Sequence, residues 1–302
     1  MGERLAHEAW QGSTSGTVWM HRALIRSLRF MNLRVVYLGM AVFVIPFYML
    51  FARRGYLAMY HYFRRRHGFG VWKSFRYVWL NHYRFGQVVL DRFAAYAGQR
   101  FELERDGGSL FDELCSQPGG FIILSCHVGN YEMVGYTFTA DKKRYNALVY
   151  SGEAATVTEQ RNRILSKHNI RLIPVKEDMS HIFVMNEALA DGEIVSIPAD
   201  RIFGSSRYVE TELLGGRVRL PMGPFATALQ RGVPTICMFA MKVSAYRYKV
   251  IIREVSGKGI VNSEKGREEK IAGLARSFTR EMETVLKAYP EQWYNYFEYW
   301  EN

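Results

Sequence analysis

Three cysteines in 302 residues, none in a C-x-x-C spacing, give neither a disulfide framework nor a cysteine zinc site. The chain also lacks G-x-x-x-x-G-K-[ST], G-x-G-x-x-G and H-E-x-x-H. No nucleotide, metal or other cofactor is therefore expected. Without a G-x-S-x-G elbow, a serine nucleophile on a strained strand-to-helix turn is disfavoured. No internal repeat or low-complexity tract breaks the chain. The polar first eleven residues, with Glu3 and Glu8, do not read as a cleavable signal peptide.

Acidic residues are scarce where basic ones are dense. Residues 1–80 carry twelve lysines and arginines against two glutamates, so nearly all of the net charge of +11 lies in the first quarter. Such a block prefers an anionic surface, either nucleic acid or lipid head groups. The apolar residues decide between them. Val35 to Ala52 contains no charge, with Arg34 before it and Arg53-Arg54 after it. As a helix it would be ~27 Å long, close to the hydrocarbon thickness of a bilayer. Tyr37 and Tyr48 stand near its ends, where amphipathic rings prefer the interface, and Pro46 would kink it. Upstream, Arg22, Arg26 and Arg29 share one helical face and Leu24, Leu28 and Met31 another. The expectation is attachment to an anionic membrane rather than a span, and no nucleic-acid partner.

Residues 1–66 are read as this helical membrane-attachment region and 67–302 as the second domain. A helix is expected over 71–97, where Val71, Phe75, Val78, His82, Phe85 and Val89 recur at helical spacing. Beyond Gly107-Gly108, strand signals (101–105, 120–126, 146–150, 171–175, 193–198, 209–213, 234–242, 247–254) alternate with helix signals (109–116, 130–139, 155–168, 179–191, 223–231, 264–288). This pattern predicts an α/β fold with a mixed, largely parallel central sheet flanked by helices. Ligands of such sheets bind outside the carboxyl ends of the strands.

One strand ends in chemistry. Phe121-Ile122-Ile123-Leu124-Ser125-Cys126 is apolar and is followed by His127, Gly129-Asn130 and Glu132. With eight histidines and 29 acids, about one His with an acid five residues on is expected by chance, so spacing alone has little force. Context gives it force. Gly129 permits a tight turn, and Glu132 falls in the first turn of the following helix, where a carboxylate is favoured. From there it would accept the Nδ1–H bond of His127 and leave Nε2 to act as a base, with amides of the helix end near an oxyanion. A capping histidine and a first-turn glutamate without chemistry are the alternative. Cys126 points to the opposite strand face from His127, and Ser125 lies about 7 Å along the strand, so neither suits a covalent acyl-enzyme.

Asp200 and Arg201 follow the strand at 193–198, and with Gly204 they are candidates to hold a phosphate or a thioester carbonyl. Gly223 opens a helix whose amides suit an anion. Arg161 and Arg163 are further candidate partners; solvated helix charges are the alternative for both.

These segments resemble the bacterial lysophospholipid acyltransferase-like superfamily, in particular its late lipid A biosynthesis acyltransferases. The resemblance rests on the N-terminal apolar segment and on S-C-H-V-G-N-Y-E (125–132), I-P-A-D-R-I-F-G (197–204), R-L-P-M-G-P-F-A-T-A-L (219–229) and P-E-Q-W-Y-N-Y (290–296). It implies an enzyme at the cytoplasmic face of the bacterial inner membrane. That enzyme would move a fatty acyl chain from a thioester, on acyl carrier protein or coenzyme A, to a hydroxyl or amine of a lipid acceptor. His127 would be the general base and Glu132 its orienting partner, with Gly129, Asn130, Arg161, Arg163, Asp200, Arg201, Gly204 and Gly223 lining the substrates. Arg201 and the acidic, aromatic C-terminal segment depart from the family pattern, which leaves the acceptor open, a divergent one included. An esterase or thioesterase using the same pair, or an idle lipid-binding protein, are the competing readings.

Overall fold

The computed structural model describes residues 18–51, 53–133, 143–149, 169–176, 178–202, 207–256 and 266–300. Its centre is a seven-stranded sheet of β1 (Glu102–Asp106), β2 (Phe121–Ser125), β3 (Tyr145–Val149), β4 (Ile170–Pro174), β5 (Ile194–Pro198), β8 (Thr235–Lys242) and β9 (Arg247–Glu254). Their order is β1-β9-β8-β2-β5-β3-β4, and every pairing is parallel except β8 with β9. The expected mixed, largely parallel sheet is what the chain forms.

Burial on both faces explains the composition of the central strands. In β2, Ile122 and Leu124 belong to one core while Phe121 and Ile123 belong to the other. All eight residues of β8 are buried. Strands covered on both sides read as continuous apolar runs. The outlying pair β6 (Tyr208–Leu213) and β7 (Gly216–Pro221) forms a separate antiparallel hairpin. β7 was not expected from sequence, and the strand at 209–213 was not expected to leave the central sheet. The turn between them places Leu214 at φ +50° and Gly215 at +69°, the conformation a tight hairpin requires. Leucine is a poor signal for that turn. Here its N–H is tied to Glu283 Oε2 at 2.7 Å.

Helices α1 (Val18–Leu28), α2 (Leu33–Phe51), α3 (Arg53–His61) and α4 (Val71–Tyr96) build the N-terminal side. α2 passes Pro46 without ending, because the backbone widens into a π-turn over Met40–Val44 just before it. Widening of this kind accommodates the N–H that proline lacks. Leu33, Tyr37, Met40 and Ile45 pack with Phe93 and Ala94 of α4. On the other side of α2, Val35, Leu38, Val42, Phe43, Phe47, Leu50 and Phe51 are exposed. Met59, Tyr62 and Phe63 lie in the same core as Leu124 and Trp293, so residue 66 does not divide two cores. The expected boundary there is corrected: α3 and the turn after it belong to the main body.

α4 follows the expected span, but its inward face is more polar than its periodicity suggested. Val71 and Phe75 are exposed, whereas Asn81, His82 and Asp91 are buried. Asn81 Nδ2 donates to the carbonyls of Glu291 and Trp293 at 3.0 and 2.8 Å. Asp91 is ion-paired with Lys242 and accepts bonds from the hydroxyls of Tyr37 and Tyr248. Burial pushes the Asp91 carboxyl up and the Lys242 amine down, and their mutual attraction opposes both shifts. Deleting one member of such a pair costs about 3–5 kcal/mol, whereas a hydroxyl bonded to it is worth about 1.5–3.

The remaining described helices are α5 (Gly108–Ser116), α6 (Ser180–Ala190), α7 (Met222–Arg231) and α8 (Arg267–Ala288). The helix expected at 155–168 lies outside the described residues. Cys126 and Cys237 are fully interior and Cys115 is half-buried. Burial pushes both interior thiols up, which removes Cys126 as a nucleophile. A disulfide-exchange reagent should therefore titrate only Cys115 in the native protein, and the other two on unfolding. Rapid native reaction of Cys126 would contradict this packing.

Candidate active site

β2 and β5 are adjacent and parallel, with Ser125 opposite Pro198. Carried two residues further along both chains, that register sets His127 beside Asp200 at the carboxyl edge of the sheet. The His127 N–H donates to Asp200 Oδ2 at 2.9 Å, and its Nδ1 lies 3.0 Å from Oδ1 and 3.2 Å from Oδ2. The Asp200 side chain is fully buried, while that of His127 is 29% exposed. Tyr299 donates to the Asp200 carbonyl at 2.5 Å.

Burial alone would raise the Asp200 carboxyl. The His127 imidazole, its two hydrogen bonds and the nearby Arg201 outweigh burial and hold the carboxyl below its usual range. A depressed carboxyl adds stability above its unfolded value, and that stability is lost only as the pH falls through the folded value. Asp200 is thus a carboxylate throughout the neutral range. A carboxylate only accepts, so Nδ1 carries the hydrogen of this contact and Nε2 is the ring nitrogen that Asp200 does not bind. The Tyr131 ring packs against the imidazole in a T-shaped contact, 5.6 Å between centroids.

The expected orienting partner of His127 is corrected here. Glu132 is bound by the Arg92 guanidinium of α4, at 3.1 Å to Oε1, and Nδ1 is occupied by Asp200. The helix that opens at Tyr131 turns Glu132 toward α4, with its side chain and that of Arg92 mostly covered. Two carboxylates arrive at this edge of the sheet, and register across β2 and β5 selects the one 73 residues away.

The turn is held from several directions. Gly129 sits at φ +70°, and a Cβ there would collide with the Ala240 carbonyl oxygen. Its N–H donates to the Gln292 carbonyl at 2.7 Å, and that of Asn130 to Ala240 O at 2.8 Å. Both amides are spent inside the protein, so neither Gly129 nor Asn130 offers its N–H to an oxyanion. Asn130 is corrected as a substrate contact as well. It is buried, its Oδ1 caps the Met133 N–H at 3.2 Å, and its Nδ2 donates to Tyr248 Oη at 3.2 Å.

Arg201 follows Asp200 but reaches the Tyr294 carbonyl at 2.8 Å and stacks over Phe297. It ties the C-terminal segment to the site. Gly223 is exposed at the start of α7, after the β6–β7 hairpin. Arg161, Arg163 and Gly204 lie outside the described residues, as do 150–168 and 203–206, which follow β3 and β5 in sequence. Among the described residues no three His, Cys, Asp or Glu side chains cluster as metal ligands. A polar cavity of ≈ 500 Å³, lined by Cys115, Lys143, Asp191 and Glu193 among others, opens at the amino ends of the strands, opposite the His127 edge.

The sequence profile described as bacterial lipid A biosynthesis acyltransferase matches residues 99–301. Among solved structures, the 1-acyl-sn-glycerophosphate (LPA) acyltransferase PlsC from Thermotoga maritima is similar at 12% identity and a TM-score of 0.35, over 78% of this chain and 95% of that one. A search of curated proteins found no match.

Gly129→Ala should lower stability by at least about 1–3 kcal/mol, the cost of a left-handed backbone at an L-residue. Denaturant midpoints would read it; an unshifted midpoint would mean that the turn is not held as described.

Proposed function

The chain belongs to the bacterial lipid A biosynthesis acyltransferase family, and from that premise we propose that His127 is the general base of acyl transfer from a thioester to a lipid hydroxyl or amine. The single observation that carries this reading is the imidazole held by the buried Asp200 carboxylate at the carboxyl edge of the sheet. Nε2 takes the proton of the acceptor as its oxygen or nitrogen attacks the thioester carbonyl. Asp200 keeps the ring in the productive tautomer and stabilises the imidazolium that forms. On collapse of the tetrahedral intermediate the C–S bond breaks, and His127 returns the proton to the departing thiolate. The thiol leaves readily; the thioester is a co-substrate on acyl carrier protein or coenzyme A.

The acceptor is lipidic, and the N-terminal side of the molecule suits a membrane surface. α2 is long and apolar enough to cross a bilayer, yet it is pinned along α4 by Tyr37, Met40 and Ile45. α4 carries Lys73, Arg76, Arg84 and Arg92, which a span would draw toward hydrocarbon at high cost. The exposed apolar face of α2, together with Phe30 and Trp72, instead fits an interfacial bed, with Arg22, Arg26 and Arg29 at the head groups. In this reading the protein sits on an anionic leaflet, and the cytoplasmic face of the inner membrane is the leaflet we assign to it.

His127→Ala should abolish transfer of a radiolabelled acyl group from acyl carrier protein or acyl-coenzyme A into lipid, without altering circular dichroism. Label appearing as free fatty acid in wild-type protein would identify a thioesterase; retained transfer in the variant would remove the base assignment.

Binding to anionic vesicles should persist in part as salt rises, because apolar burial supplements the screened arginines. Complete release at high salt would contradict insertion of the α2 face.

A further inference from the structure

Among the described residues, the interior holds a polar knot that the chemistry above does not use. Lys242 and Asp91 are completely buried and ion-paired between the end of β8 and helix α4. An apolar filling would be at least as stable as such a pair. The pair is nevertheless surrounded by further polar groups, and their bonds lead in two directions.

One direction is the N-terminal helix. Tyr37 of α2 donates to Asp91 and accepts from Lys242 Nζ at 3.2 Å. The first amide of α2, on Leu33, donates to Tyr246 Oη at 2.9 Å, in the β8–β9 turn beside the knot. The other direction is the turn after His127, reached by two arms. Tyr248 donates to Asp91 and accepts from Asn130 Nδ2. Lys242 is clasped through its backbone by the Gln292 amide, at 2.8 and 2.9 Å, and the Gln292 carbonyl accepts the Gly129 N–H. Both residues that shape the turn are therefore held by groups that converge on the Asp91–Lys242 pair.

We propose that the Asp91–Lys242 pair, with Tyr37 and Tyr248, is a positioning device that makes the placement of His127 depend on the seating of α2 against the body of the protein. None of these residues is a catalytic residue; they act on the imidazole through Asn130, Gly129 and the backbone of the turn. Tyr37 bonds to no residue of the turn after His127; its hydroxyl reaches Asp91, Lys242 and, at 3.4 Å, the Ala245 carbonyl, so an effect of its removal there passes through the pair and the β8–β9 turn beside it. The kinetic consequence rests on the function proposed above, whereas the structural consequence does not.

The test compares Tyr37→Phe and Tyr248→Phe in full-length protein bound to anionic vesicles. Deuterium exchange is followed in peptides covering 127–133, with α8 peptides over 271–286 as control. Both variants should speed exchange of the turn about tenfold or more while α8 is unchanged. Turnover of palmitoyl-coenzyme A should fall about 10–100-fold in kcat with KM nearly constant, as expected for a displaced base rather than lost binding. Exchange at the turn that is unchanged in Tyr37→Phe, or a uniform rise in turn and α8 alike, would overturn the proposal and leave the knot as packing alone. Wild-type protein without palmitoyl-coenzyme A turnover would count against that donor or against the catalytic reading, while the exchange comparison would still decide the coupling. If Tyr248→Phe does not fold, Tyr37→Phe gives the decision by itself.

Discussion

The register between two parallel strands is the constraint on which the site depends. β2 and β5 each end two residues short of a polar side chain, and their pairing lays those side chains next to each other. The Asp200 carboxylate then binds the His127 ring and its backbone N–H together. A one-residue slip would turn the strands' apolar residues to the wrong faces, and two cores resist it at once. Much of the protein can be understood as support for this contact. The C-terminal segment passes under it through Gln292, Tyr294 and Tyr299, and Arg201 ties that segment back to the site.

Electrostatics follow from the same geometry. A buried carboxylate with no neighbour would be neutral; beside an imidazole and a guanidinium it stays charged. That charge fixes the tautomer and leaves Nε2 as the ring nitrogen that Asp200 does not bind. Glu132, the nearer acid in sequence, serves instead as a partner to Arg92 on α4. The helix that supplies Arg92 also supplies Asp91, so two consecutive residues link the N-terminal side to the turn after His127.

Much of this was legible in the sequence because the signals were local. The runs at 120–126 and 234–242 had to be buried strands, and alternation with helices implied a parallel sheet. His127 and Asp200 were both identified as polar residues at strand ends. Their pairing was not legible, because β2 and β5 are separated in sequence by β3, β4 and the helix between β4 and β5, and adjacency in a sheet is a tertiary fact. Proximity in sequence favoured Glu132 for the same reason. β7 escaped notice because Leu214-Gly215 lacks the usual hairpin residues. The inward role of Asn130 depended on a tyrosine 118 residues away, and that of Asp91 on Lys242, neither of which any local pattern announces.

The measurement that bears most directly on this account is the acyl-transfer kcat of Asp200→Asn set against that of Glu132→Gln, both in folded protein. Loss of the tautomer-fixing carboxylate should cost about 10²–10⁴-fold, and neutralising Glu132 far less. Near-normal turnover in Asp200→Asn, with the large loss falling on Glu132→Gln, would contradict it.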